Sequence, residues 1–238
     1  MICFLTSSPV IPDTKILNPA NRFVDELRQH YPRQCRALFI CSDPDNSEKT
    51  DRFADAVKTS FEDAGLPFRQ FRVLDGRNAH SATTLVKEAD LIVFAGGHVP
   101  TQNRFFSSIG LKALLNGYRG VVIGISAGSM NSADVVYAQP EEKGEAVDPA
   151  YQRFLPGLGL TKTMLLPHYQ AVKDDVLDGL RLFEDITFHD SYGKTFYAIP
   201  DGSYLFIGHG KEELRGEAYM VQNGKIHRIA GNGDSVVL

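Results

Sequence analysis

Cysteine is scarce in this 238-residue chain. Cys3, Cys35 and Cys41 are too few, and odd in number, for a disulfide framework, so a reducing, cytoplasmic compartment is expected. Long apolar runs are missing too. Leu91–Ala95 and Val121–Ile125 fall far short of the roughly 20 residues a membrane-crossing helix needs, which excludes membrane insertion by a helix. Met1–Val10 has no charged segment followed by an apolar stretch, so no secretory signal is expected. Dense basic clusters are absent: 25 Lys and Arg stand against 29 Asp and Glu, a formal charge of −4, and nothing offers to offset nucleic-acid phosphates. The glycine runs lack Walker or dinucleotide spacing. The histidines are scattered and Cys35 and Cys41 form no CxxC pair, so neither a metal nor an organic cofactor is expected. The remaining composition, 43% hydrophobic and 23% charged, is that of an ordinary soluble protein. A chain this long buries roughly 70–75% of its unfolded surface and needs no disulfide or metal to hold a core.

Short β-rich runs alternate with amphipathic stretches through the first half. Strands are expected at Ile2–Thr6, Ala37–Cys41, Phe68–Leu74, Asp90–Ala95 and Val121–Ile125. Helices are expected at Asn21–Tyr31, Asp51–Ala64, Ala82–Ala89, Arg104–Asn116 and Ala127–Val136, several closed by Gly or Pro. Regular alternation of this kind means parallel strands joined by crossover helices on both faces. The expected fold is therefore a three-layer α/β sandwich with a mostly parallel central sheet, one domain spanning residues 1–238. Functional loops should lie at the carboxyl ends of its strands. After Ala138 the pattern changes. Gln139–Pro156 carries four acidic residues and little periodicity, and reads as a surface excursion that could flank a cleft. Lys173–Phe183 reads as a helix. Thr195–Ile199, Tyr204–Ile207, Ala218–Val221 and Lys225–Ile229 read as short strands, with a hairpin turn at Asn223-Gly224.

The most informative stretch is Gly124-Ile125-Ser126-Ala127-Gly128. It matches G-x-S-x-G, with the serine directly after a buried strand and directly before an expected helix. Such a turn exposes the hydroxyl, and the small neighbours leave room for a strained backbone, so Ser126 is the candidate nucleophile. A serine nucleophile needs a base. Of seven histidines, His168 in Leu165-Leu166-Pro167-His168 is best placed, at the end of an apolar run, with His98 and His209 as rivals. A carboxylate should orient that base. Asp201, in Ile199-Pro200-Asp201-Gly202, is the first candidate and Asp190 its competitor. Gly96-Gly97-His98 ends the preceding strand. There the Gly97 N–H, paired with that of Ala127, could form a two-donor oxyanion hole. Cys3 and Cys41, near strand ends, read as core residues, not nucleophiles.

Four segments, Ala-Gly-Gly-His at 95–98, Gly-Ile-Ser-Ala-Gly-Ser at 124–129, Leu-Pro-His-Tyr at 166–169 and Ile-Pro-Asp-Gly at 199–202, resemble in order and spacing the dipeptidase E (α-aspartyl dipeptidase) and cyanophycinase family of serine peptidases. The resemblance covers most of the chain. It implies a flavodoxin-like fold similar to the class I glutamine amidotransferases, with serine in place of cysteine. It also implies the chain order Ser, His, acid. By position Ser126 matches the family's nucleophile, His168 its base, and Gly97 and Ala127 its oxyanion donors. Asp201 stands where the aspartyl dipeptidase has a glutamate, and His98 where an asparagine is common. An aspartyl substrate side chain needs a cation or several donors nearby, for which His98, Arg104 and Lys162 are the candidates. The implied activity is hydrolysis of short peptides, Asp–X dipeptides first. Cleavage of β-aspartyl-arginine substrates, or a non-catalytic binding role on the same scaffold, are the alternatives.

Overall fold

The computed structural model describes residues 1–238. Five strands, β1 (Ile2–Thr6), β2 (Arg36–Ile40), β3 (Gln70–Leu74), β4 (Leu91–Phe94) and β5 (Val121–Ile125), pair in parallel in the order β1-β5-β4-β2-β3. Side chains alternate across these strands, and the alternation assigns the layers. Phe4, Phe39, Val93 and Ile123 pack with helices α1 (Phe23–His30) and α2 (Ser47–Asp63) on one face. Leu5, Ile40, Ile92 and Val122 pack with α3 (Ala82–Glu88), α4 (Val99–Ser108) and α5 (Leu111–Leu114) on the other. All five residues of β5 are buried, which is why the strand reads as continuously apolar. The three-layer α/β expectation holds.

The sheet does not stop at β1. Tyr204–Gly208, Lys211–Arg215 and Ser235–Val237 add an antiparallel wing beyond it, so five strands are parallel and three antiparallel. The last two of these strands carry no clear apolar pattern of their own. A second sheet of four strands, Lys225–Ala230, Ala218–Gln222, Thr195–Ala198 and Met164–Leu166 in spatial order, is an addition to the expected architecture. Within it Thr195–Ala198 and Met164–Leu166 run parallel, with Ala198 opposite Leu166.

Three expected helices change. The one placed at Arg104–Asn116 begins earlier, at Val99, with Pro100 in its first turn. It breaks at Gly110, whose φ of 64° ends one helix and caps the next. The one placed at Ala127–Val136 is only α6 (Ala127–Met130). Asn131, buried, ties the end of α6 to α4 by donating to Val99 O and Gln102 Oε1. The β-branched pair that follows pairs instead as a strand, Val135–Tyr137 with Phe154–Pro156. The one placed at Lys173–Phe183 is a hairpin, Val176–Leu177 with Leu180–Arg181. The turn dipeptide Asp178-Gly179 adopts φ of 53° and 85°, and this turn chemistry overrides the helical spacing of Val176, Leu177 and Leu180.

Candidate active site

Ser126 lies between β5 and α6 with φ 50° and ψ −111°, a conformation a side chain rarely adopts, which costs of order 1–3 kcal/mol. The surroundings impose it. Ser126 N donates to both Thr6 O and Ser7 O at 3.1 Å, and Ser129 Oγ donates to Thr6 O at 2.7 Å, so the turn is clamped to the end of β1. Both motif glycines are required by sterics. A Cβ on Gly128 would lie 2.6 Å from Phe94 Cβ and O, and one on Gly124 would lie 2.8 Å from Ser129 Cα and N. The two glycines therefore let α6 sit directly on β4 and β5, with the serine in the turn between them.

His168 and Asp201 arrive from the second sheet. His168 follows Met164–Leu166 by two residues and Asp201 follows Thr195–Ala198 by three, so two adjacent parallel strands deliver both side chains at their carboxyl ends. His168 Nδ1 lies 2.8 Å from Asp201 Oδ1. The carboxylate is also bound by Ser7, whose Oγ donates to Oδ1 at 2.6 Å, and by Gln170, whose Nε2 donates to Oδ2 at 2.8 Å. Burial pushes the Asp201 carboxyl up. Hydrogen bonds from His168 and Ser7, the His168 charge and the Gln170 bond together outweigh it and hold the group below the usual carboxylate range.

Ser126 and His168 share one cavity of about 290 Å³ with Gly96, Gly97, Phe53 and Val57. No hydrogen bond joins the two side chains, and both residues line the cavity wall. Gly96 brings its loop beside the serine, because a Cβ there would lie 3.4 Å from Ser126 Cβ. Gly97 has φ 150°, and a Cβ on it would collide with the Ser42 side chain. Ala127 is the first residue of α6, so its N–H has no helical carbonyl to donate to. A larger hollow of about 810 Å³ lies at the opposite edge, beside Ile2 and Val121 where β1 and β5 begin, and contains no serine–histidine pair.

The rival residues are committed elsewhere. His98 uses both ring nitrogens, Nδ1 with Thr101 Oγ1 and Nε2 with Glu145 Oε1, each at 2.8 Å. His209 packs against His30, with ring centroids 5.8 Å apart and the rings tilted, at the turn between Tyr204–Gly208 and Lys211–Arg215. Asp190 accepts from Tyr137 Oη at 2.8 Å and pairs with Arg153 at 2.9 Å, so it is not the partner of His168. Arg104 donates to Thr101 Oγ1 and meets no carboxylate. Lys162 is not brought to the site. It precedes the strand that ends near His168, between Thr161 and Thr163, which both donate to Glu212.

Two participants escaped the sequence reading. Ser7 and Gln170 touch Asp201, and Ser-Ser-Pro after a strand or Tyr-Gln after a histidine carries no distinguishing signal. The acidic excursion, expected to run over the surface and able to flank a cleft, reaches His98 beside the glycine loop. Glu145 Oε2 accepts the Glu141 and Glu142 N–H groups while Oε1 holds His98, tying residues 139–156 to the Gly96-Gly97 loop. Glu141 is exposed over much of its surface, yet crowding of its carboxyl and the Glu145 charge push it up to about 7, against the Val99 N–H and His168. His98, Glu142 and Glu145 keep their ligand atoms within 4.8 Å of one another and are the group spaced to hold a cation, although His98 and Glu145 already satisfy each other.

The model of peptidase family S51 matches residues 3–214. No curated protein matches. Among solved structures, the chain is similar to the crystal structure of a "Putative Peptidase E Protein from Listeria monocytogenes EGD-e", at 18% identity and a TM-score of 0.57. The match covers 96% of this chain and 98% of that one, a likeness of fold. With a family match over nearly its whole length and a serine on a strand-to-helix elbow, the chain belongs to peptidase family S51 and is a serine-type peptidase of the dipeptidase E type.

Proposed function

We propose that this peptidase hydrolyses short peptides, Asp–X dipeptides first among them, through Ser126, His168 and Asp201. Ser126 Oγ attacks the peptide carbonyl as His168 Nε2 takes its proton. Asp201 holds the Nδ1 proton and stabilises the imidazolium. The Gly97 and Ala127 N–H groups receive the oxyanion, each contributing roughly 3–4 kcal/mol to the transition state. His168 then protonates the leaving amine, and water releases the acyl group by the same route. The observation that carries this reading is the shared cavity of Ser126 and His168, with His168 Nδ1 bonded to a carboxylate on its far side.

The cavity volume, about 290 Å³, lies at the small end for ligand sites and suits a dipeptide better than a polymer. Preference for aspartate rests on the family, and Arg104, bound to Thr101 and to no carboxylate, is the first candidate cation. Phe53, Val57 and Val10 form an apolar wall that would receive an aliphatic side chain on one side of the scissile bond. The test is a dipeptide panel of Asp–X, Glu–X, Asn–X, Ala–X and β-Asp–Arg, with Ser126→Ala as control. Asp–X turnover lost in the variant is the expected result. Turnover of another member alone discards the aspartyl preference and keeps the chemistry, and turnover unchanged by Ser126→Ala refutes the nucleophile.

A further inference from the structure

Ser7 is wholly buried at the end of β1, one residue beyond the strand. Its single hydroxyl is used twice. It accepts the backbone N–H of His168 at 2.7 Å and donates to Asp201 Oδ1 at 2.6 Å. Oδ1 is also the oxygen that meets His168 Nδ1. The three groups form a closed triangle: histidine backbone to serine, serine to carboxylate, carboxylate to histidine ring. His168 needs such a clamp, because its own backbone is left-handed, with φ 59° and ψ 26°, and the helix it opens has only four residues. The central sheet therefore carries both Ser126 and Ser7, on neighbouring strands with Thr6 opposite Ile125, while the second sheet carries His168 and Asp201. Ser7 is the hydroxyl that spans the two.

We infer that Ser7 is a positioning residue for the peptidase chemistry. It locks the Asp201 carboxylate against His168 Nδ1, and the His168 backbone against the sheet that bears the nucleophile. The inference rests on the proposed roles of Ser126, His168 and Asp201. A hydroxyl is required because one group must both accept and donate. Alanine leaves the His168 N–H and one lone pair of Oδ1 unmet, freeing the carboxylate to rotate toward Gln170. The same lost donor disfavours the ionised carboxylate, so the pair should need higher pH to reach its active state. The charged or titrating groups that face it are His168 and Asp201 themselves and Glu141 from the excursion. Gln170 is the neutral neighbour.

The experiment needs no knowledge of the substrate. A small alkyl fluorophosphonate reacts when Ser126 Oγ forms the P–O bond, fluoride leaves and His168 takes the hydroxyl proton. Its second-order labelling rate is measured from pH 4 to 9 for wild type, Ser7→Ala and Ser7→Thr. The expected result for Ser7→Ala is a rate lower by roughly 10- to 100-fold, from a shift of the base by a fraction of an ångström. Its acidic limb should move up by about one pH unit. Both changes should persist in a Glu141→Gln background, which removes the other titration. Ser7→Thr, which keeps the hydroxyl, should recover most of the rate, and thermal melting checks that each variant is folded. A folded Ser7→Ala with wild-type rate and limb overturns the inference. So does a rate loss that tracks a lowered Tm with the acidic limb unmoved, since a merely structural serine would behave that way. If wild type itself is not labelled at Ser126, the proposed chemistry falls, an outcome distinct from equal labelling of wild type and variant.

Discussion

Replacing Asp201 by asparagine tests the site at its most connected atom pair. The carboxylate accepts from His168 Nδ1 at 2.8 Å, Ser7 Oγ at 2.6 Å and Gln170 Nε2 at 2.8 Å, while the Asp201 N–H donates to Gln170 Oε1 at 3.0 Å. An amide of the same shape has one acceptor and one donor end. With its oxygen toward His168 and Ser7, its NH₂ faces Gln170 Nε2. Turning the Gln170 amide to relieve that clash then opposes its NH₂ to the backbone N–H. With the oxygen toward Gln170, the NH₂ faces His168 Nδ1 and selects the tautomer protonated at Nε2, which cannot accept a proton from Ser126. Either way one bond is lost, about 1–3 kcal/mol of stability, and the protein should remain folded. The kinetic loss is larger because the charge that stabilises the imidazolium disappears. Asp201→Asn should lower kcat/KM by about 10²- to 10⁴-fold through kcat, with KM little changed. The pH dependence of stability carries a second signature. The folded-state carboxyl is held below its usual value, so its contribution is fully present above the unfolded-state pKa. It is lost as pH falls through the folded-state value. Asp201→Asn should therefore narrow the stability gap to wild type as pH drops below about 4. Dipeptide hydrolysis and thermal melts over pH 3–8 read both effects. Turnover within about threefold of wild type, still dependent on Ser126, would refute Asp201 as the orienting acid.

Asp190→Ala provides the contrasting case. It strips Tyr137 and Arg153 of their shared acceptor and should cost about 1–3 kcal/mol in a denaturant melt, yet leave kcat within a few-fold. A catalytic collapse without destabilisation would reverse the two acids. Gly128→Ala drives a methyl against Phe94 backbone and Cβ at 2.6 Å, so α6 must lift from β4. Stability should drop by about 1–3 kcal/mol, and labelling of Ser126 should fall by about 10²-fold as the Ala127 N–H moves. Unchanged labelling would mean that the elbow geometry does not matter to the chemistry. Burial pushes the Cys3 and Cys41 thiols up to about 12 and Cys35 up to about 11, and all three are buried. Iodoacetamide at pH 8 should leave the native enzyme unmodified and active, with three thiols reacting only after denaturation.

Much of this protein is written locally. The buried strands announce themselves as unbroken apolar runs because both faces of the central sheet are covered, as for Val121–Ile125, whose five residues are all buried. The Ser126 elbow is legible because its constraint lies within five residues: a strained φ flanked by two positions where any side chain would strike backbone or a packed core residue. The Asn223-Gly224 hairpin is legible for the same reason, as φ values of 51° and 77° suit that pair of residues. Asp178-Gly179 spoke the same language against a competing helical spacing, and the turn prevailed. Ser7 meets Asp201 across 194 positions and His168 across 161, distances over which no periodicity carries information. The antiparallel wing and the second sheet arise from pairings between short strands whose partners only the closed fold supplies. The fold separates Asp201, bonded to His168, from Asp190, bound to Arg153 and Tyr137, and sets His168 apart from His98, bound to Glu145 and Thr101, none of which the local sequence distinguishes. The Ser126 turn and the layers around it are legible locally, because backbone sterics and burial act over a few residues. The proposed base, its acid and the serine bonded to both come together only in three dimensions, because hydrogen bonds select partners by proximity in space.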